Sequence, residues 1–128
     1  MFTFNKFMVQ GKAGHNPEVK KLSSGVSTLT LSLATNEYWK DKETKEKKER
    51  TDWHRVVFYG QAAEIINQYV KKGDTVFVEG KIQTREYQDT NNEKQYITEV
   101  IADKFKFWSK KDEVEESSEE LIGDKPPF

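Results

Sequence analysis

Hydrophobic and polar residues alternate in steps of two along much of this chain, and one stretch departs to a longer period. The clearest run is Val26-Ser27-Thr28-Leu29-Thr30-Leu31-Ser32-Leu33, which sends Leu29, Leu31 and Leu33 to one face and hydroxyl side chains to the other. That pattern predicts a half-buried strand. An earlier strand is predicted from Thr3 to Gln10, punctuated by Gly11, Gly14 and the turn-favouring Asn16-Pro17. A third runs from Trp53 to Tyr59 and is closed by Gly60. Between the second and third, Lys40 to Arg50 alternates charge with no apolar residue, which predicts a long, mobile hairpin loop.

From Gln61 to Lys72 the period changes. Ala62, Ile65, Ile66, Tyr69 and Val70 fall at helical spacing, and Gly73 stands where a helix end favours a left-handed residue. Thr75 to Gln88 is extended again, with Gly80 marking a bulge or sharp bend; Asp89 to Asn92 has turn chemistry, and Gln95 to Trp108 is the last strand. Three strands, one helix and two strands, all-β apart from that helix, match a five-stranded OB-fold Greek-key barrel. Other α+β folds share the count, and the bend at Gly80 favours the barrel, because strands that serve two sides of a small closed sheet need a corner. Leu29, Leu31, Leu33, Ile65, Ile66 and Val70 are assigned to the core.

Charge divides the chain in two. Residues 1–111 carry 20 Lys/Arg and 15 Asp/Glu, a net of +5, whereas residues 112–128 carry 1 Lys and 7 Asp/Glu, a net of −6. Only 34% of residues are hydrophobic and the mean hydropathy is −0.90, so part of the chain is expected to be solvated rather than packed. The expected organisation is a domain over 1–111 and a disordered acidic tail over 112–128, with a polyanionic partner for the body and a separate or competing role for the tail. Cysteine is absent, which removes disulfides and thiolate chemistry. No membrane span or secretory signal is read in the sequence, so a soluble intracellular protein is expected.

Strand parity then points to chemistry. Trp53, Arg55, Val57 and Tyr59 share one face of the third strand, while His54, Val56 and Phe58 share the other. Lys81, Arg85 and Tyr87 repeat the mixture of cation and ring on the fourth strand, and Trp39, followed by Lys40 and Lys42, stands at the root of the charged loop. A single aromatic is more often core or contact. Four, each near a cation, suit a groove where bases stack on rings and phosphates pair with cations. Catalysis is not expected: there is no phosphate loop with its lysine, no GxSxG, no HExxH, and only His15 and His54 as histidines. His15 reads as a turn residue and His54 as a core or interface histidine. No metal and no cofactor are expected.

Two segments carry a more specific signal. Leu33 to Lys42 (LATNEYWKDK) and Thr51 to Gly60 (TDWHRVVFYG) resemble the bacterial single-stranded DNA-binding protein family, SSB. Lys72-Gly73-Asp74, Val78-Glu79-Gly80, Thr84-Arg85, Tyr96 to Val100 and Asn16 to Val19 also match, in order, from about Asn5 to Phe107, and the likeness resumes at Pro127-Phe128. The resemblance implies an OB-fold subunit of a homotetramer that binds single-stranded DNA (ssDNA) without strong sequence preference. It assigns base stacking to Trp39, Trp53, Tyr59 and Tyr87; the last two replace the commoner Phe and Trp. Arg55, Lys72 and Arg85 match basic positions, whereas Gln61, Glu86 and Gln95 stand where the family often has basic residues. With Lys42 and Lys81 from the residue pattern, these form the candidate DNA-binding set. His54 looks like the family's histidine near the subunit interface. Asp124, Pro126, Pro127 and Phe128 resemble the tail that recruits replication, recombination and repair proteins, although the linker before them is almost absent. A cytoplasmic, nucleoid-associated protein follows. A primosome-type OB protein that chiefly contacts other replication proteins is the alternative.

Overall fold

The leucine alternation seeds the core. In the computed structural model, which describes residues 2–109, Leu29, Leu31 and Leu33 are buried and belong to a long strand, β3 (Ser27–Lys40). It is preceded by β1 (Phe7–Ala13) and a two-residue β2 (Lys20–Lys21). After it come β4 (Lys47–Tyr59), α1 (Gln61–Tyr69), β5 (Thr75–Gln88) and β6 (Lys94–Trp108). The sheet order is β1-β5-β6-β4-β3, and a β1–β3 pairing closes it into a five-stranded barrel. The short β2, which the sequence pattern did not reveal, pairs with the start of β3. Every pairing is antiparallel except β4 with β6, a brief parallel contact at Val56–Val100 and Val57–Ile101. Closure leaves the inward row of each strand facing one shared interior.

That interior is filled by Val9, Leu29, Leu31, Leu33, Val56, Phe58, Val76, Val78 and Val100, and α1 plugs it with Ala63 and Ile66. Phe58 is fully buried and meets Phe105 edge-on, with ring centres 5.7 Å apart. Ile65, assigned to the core, is only partly buried. Gly80 sits at a register shift between β5 and β6, as the sequence suggested. A Cβ at Gly80 would run into the carbonyl oxygen of Ile101, so the two backbones approach at the bulge more closely than a side chain allows.

Three elements differ from expectation. The first strand covers Phe7–Ala13 rather than Thr3–Gln10, because its ladder to β5 runs from Phe7–Gly80 to Lys12–Thr75. Asn5, just before it, uses its side chain in place of a backbone rung: Nδ2 donates to the Ile82 carbonyl at 2.8 Å and Oδ1 accepts from the Ile82 N–H at 3.0 Å. The long loop expected from Lys40 to Arg50 shortens to residues 41–46, with Lys40 and Lys47 to Arg50 in strand. β3 and β4 stay paired as far as Lys40–Lys47, and the connection is a tight turn in which Asp41 Oδ1 accepts from Glu43 N at 2.8 Å. The helix stops at Tyr69, because Val70 turns extended and drives its side chain into the core. Gly73 serves the following turn instead, where its N–H donates to the Ala13 carbonyl at 2.8 Å. The disordered tail expected over 112–128 lies outside the described residues.

Candidate nucleic-acid interface

The outward row of β4 meets the hydroxyl row of β3. Register places Trp53 opposite Ala34, Arg55 opposite Ser32, and Tyr59 opposite Thr28. Thr28, Thr30 and Ser32 line a polar hollow of about 350 Å³ with His15, Lys20 and Arg55. His15 is built into this wall, since its Nε2 accepts the Ser32 N–H at 3.2 Å; the sequence marked it only as a turn residue. Trp53 and Tyr59 remain exposed, at 60% and 45%, and so offer ring faces to a ligand. Trp53 leans over the end of β1: a Cβ added to Gly14 would lie 2.5 Å from its Cζ3 atom. Glycine there makes room for the indole.

On the other side of β4 the parallel contact with β6 sets the next member. One step back along both strands from Val56–Val100, Arg55 faces Glu99. Arg55 Nε donates to Glu99 Oε2 at 2.8 Å and Arg85 Nε, from β5, donates to Oε1 at 2.7 Å. The Glu99 side chain is 3% exposed, while those of Arg55 and Arg85 are 41% and 47% exposed. Burial pushes the Glu99 carboxyl up, but the hydrogen bonds and charges of Arg85 and Arg55 outweigh it and hold the group below the usual carboxylate range. The Glu99 carboxylate therefore stays ionised at neutral pH and offsets one of the two guanidinium charges. The Arg85 guanidinium also lies 6.0 Å from the centre of the Tyr87 ring, within cation–π range. Glu99 was not singled out in the sequence, where it reads as one polar residue in an alternating strand.

The structure thus brings Trp53, Arg55, Arg85 and Tyr87 onto one side of the barrel, with Tyr59 farther along the same row of β4. Three other candidates are placed apart. Trp39 pairs with Lys48, and Tyr38 with Glu49, so by strand parity Tyr38 shares the ribbon face of Trp53 and Trp39 lies on the opposite one. Tyr38 is 70% exposed, a ring the sequence reading passed over. Lys42 stands in the hairpin turn, beyond the barrel wall. Lys81 lines a different hollow, beside Asn5, Lys6 and Glu79 at the Gly80 bulge. Lys72 is exposed and its backbone N–H is held by Asn16 Oδ1 at 2.8 Å, which ties it to the loop bordering the hydroxyl hollow. His54 faces inward as expected: its Nε2 is 2.9 Å from Thr35 Oγ1 and its ring centre is 5.8 Å from that of Phe7. Asp124, Pro126, Pro127 and Phe128 lie outside the described residues.

Among the described residues no group of three or more His, Asp or Glu is arranged to hold a metal ion, and no helix is long and apolar enough to cross a membrane. The exposed side instead combines ring faces, guanidiniums and hydroxyls, chemistry suited to a polyanion with flat unpaired bases.

Comparison with known proteins agrees with this geometry. The family described as single-strand binding protein family matches residues 4–108. A protein of Xylella fastidiosa (strain 9a5c) named single-stranded DNA-binding protein 1 is 38% identical over 127 residues, spanning 99% of this chain and 93% of the relative. Among solved structures, one described as a Plasmodium falciparum SSB complex with ssDNA superimposes with a TM-score of 0.74 at 38% identity, covering 85% of this chain and 98% of the other. A family match running from before the first strand to the end of the last one, on a barrel of the expected topology, leaves one conclusion: the chain belongs to the single-strand binding protein family.

Proposed function

We propose that the protein binds and protects single-stranded DNA, non-catalytically and largely without sequence preference, in replication, recombination and repair. The observation that carries this reading is the outward side of the barrel, where the exposed Trp53 ring stands in the same row as Arg55, and Glu99 links Arg55 to Arg85. Rings stack on any base, and guanidiniums pair with any phosphate. A duplex hides the base faces, so the same surface discriminates by strand state rather than by sequence. The matching relative and the matching complex are named for ssDNA binding, which supports the same reading.

Trp39 and Lys42 extend the surface around the β3–β4 hairpin, and Lys72, Lys81 and Tyr59 supply contacts along the body for a strand that wraps it. Because each phosphate neutralised on a single strand releases roughly 0.7 counterion, affinity for oligo(dT) is expected to fall steeply and linearly on a log–log salt plot. Arg55→Ala flattens that slope. Fluorescence titrations at several sodium chloride concentrations check both, and an affinity independent of salt would refute the electrostatic half of the mechanism.

The working unit in this proposal is a homotetramer with His54 near a subunit contact; its solution mass is four times that of the 15.0 kDa chain, which sedimentation tests. The acidic segment 112–128 recruits replication, recombination and repair proteins through Asp124, Pro126, Pro127 and Phe128, an apolar ring with flanking acids that steer encounter. Deleting Pro127 and Phe128 removes the anchor and almost none of the charge, so partner capture is lost while DNA affinity stays unchanged; retained capture in a pull-down contradicts this role. The site of action is the cytoplasm, on nucleoid DNA, which fluorescence microscopy of the tagged chain checks.

A further inference from the structure

We propose that Glu99 is a positioning residue for DNA binding, a buried carboxylate that presets Arg55 and Arg85 as one pair of phosphate-gripping guanidiniums. This rests on the ssDNA-binding reading above. Glu99 lies in the outward register of β6, yet its side chain is 3% exposed, and guanidiniums from two other strands bond to it. Each arginine spends its Nε on a different carboxylate oxygen, at 2.8 and 2.7 Å. The bonds to Glu99 are made through Nε, and each guanidinium carries two further Nη groups. Those Nη groups are the donors a phosphate needs.

Three physical consequences favour positioning over a merely structural strap. A tied arginine has already lost the rotamer freedom that a loose one gives up on gripping phosphate. The carboxylate offsets the repulsion between two cations converging on one spot, so both remain aimed outward. The alternative, a clamp joining β4 to β6 where their ladder is short, would gain nothing from leaving both arginines almost half exposed. Phosphate need not displace Glu99, because it can take up Nη donors while Nε stays on the carboxylate.

The test measures oligo(dT) affinity against salt for the full-length protein and for Glu99→Gln and Glu99→Asp, with circular dichroism to follow folding. Glu99→Gln removes the offsetting charge and one of the two strong acceptors. Its salt slope is expected to steepen by up to about 0.7, while at high salt, where the added charge is screened, it binds about tenfold more weakly than wild type. Glu99→Asp keeps the charge but is one methylene too short to hold both Nε groups, so it weakens binding with the slope unchanged. Wild-type affinity at high salt in both variants overturns the inference and leaves Glu99 a structural strap. Should Glu99→Gln fail to fold, Glu99→Asp decides alone: weaker binding at unchanged slope supports positioning, and wild-type affinity overturns it. Failure of the wild-type protein itself to bind oligo(dT) would refute the functional reading, an outcome distinct from equal binding by wild type and variants.

Discussion

Replacing Trp53 with alanine is expected to weaken binding to single-stranded DNA by about 1–3 kcal/mol, the contribution of one base stacked on an aromatic ring, with little change in the salt slope. The ring is 60% exposed and stands two residues from Arg55 in the same outward row of β4. Its surface is therefore available before DNA arrives, and no folding contact has to be broken to use it. Stacking is not a charge interaction, so the loss should be the same at low and high salt. Isothermal titration with oligo(dT) at two salt concentrations checks this. A variant that binds as wild type, or that loses affinity only at low salt, would assign the stacking elsewhere.

The largest effect on stability is expected from Phe58→Ala, about 3–5 kcal/mol. Phe58 is on the inward row of the same strand, fully buried and edge-on to Phe105. Truncation leaves a ring-sized void inside a closed barrel, where the surrounding structure relaxes only partially. Against total stabilities of about 5–15 kcal/mol for ordinary domains, such a loss removes a large share. Urea denaturation followed by far-ultraviolet circular dichroism measures it; a loss below about 1 kcal/mol would mean the barrel interior is not packed as described. The two variants dissect one strand by parity: an outward ring for the ligand, an inward ring for the fold.

Parity was also what made the fold and much of the site readable in the sequence. Leu29, Leu31 and Leu33 alternate with hydroxyls because one side of β3 is buried and the other wet, and Trp53, Arg55 and Tyr59 share a face for the same reason. Where both sides of a strand are wet, the signal disappears. Lys47 to Arg50 form strand only because backbone hydrogen bonds to β3 continue past the barrel wall, and a ladder in solvent places no demand on side-chain polarity. The same projection hid the opposite faces of Tyr38 and Trp39, which depend on register rather than composition. The helix end was misplaced because Val70, apolar and at helical spacing, reaches the core from an extended backbone instead.

Glu99 was the least legible residue. Its carboxylate is held by Arg55 and Arg85, separated from it by 44 and 14 positions in the chain, and no local pattern announces a partner that far away. Its neighbours Thr98 and Val100 give it the look of an ordinary solvent-facing acid. Only closure of the barrel, which sets β6 between β4 and β5, brings the three side chains together.

On the proposed function, the outward side of β4, β5 and β6 receives single-stranded DNA by stacking and phosphate pairing. The most direct measurement replaces Trp39 and Trp108 with phenylalanine, so that Trp53 is the only tryptophan left in the chain, and follows its emission while oligo(dT) or a duplex of equal length is added, with anisotropy of a labelled strand reporting binding independently. Saturable quenching of Trp53 by oligo(dT) in step with the anisotropy is expected, with far weaker quenching and binding for the duplex. Oligo(dT) that binds by anisotropy while Trp53 emission stays unchanged, or a duplex that binds equally well, would contradict this reading.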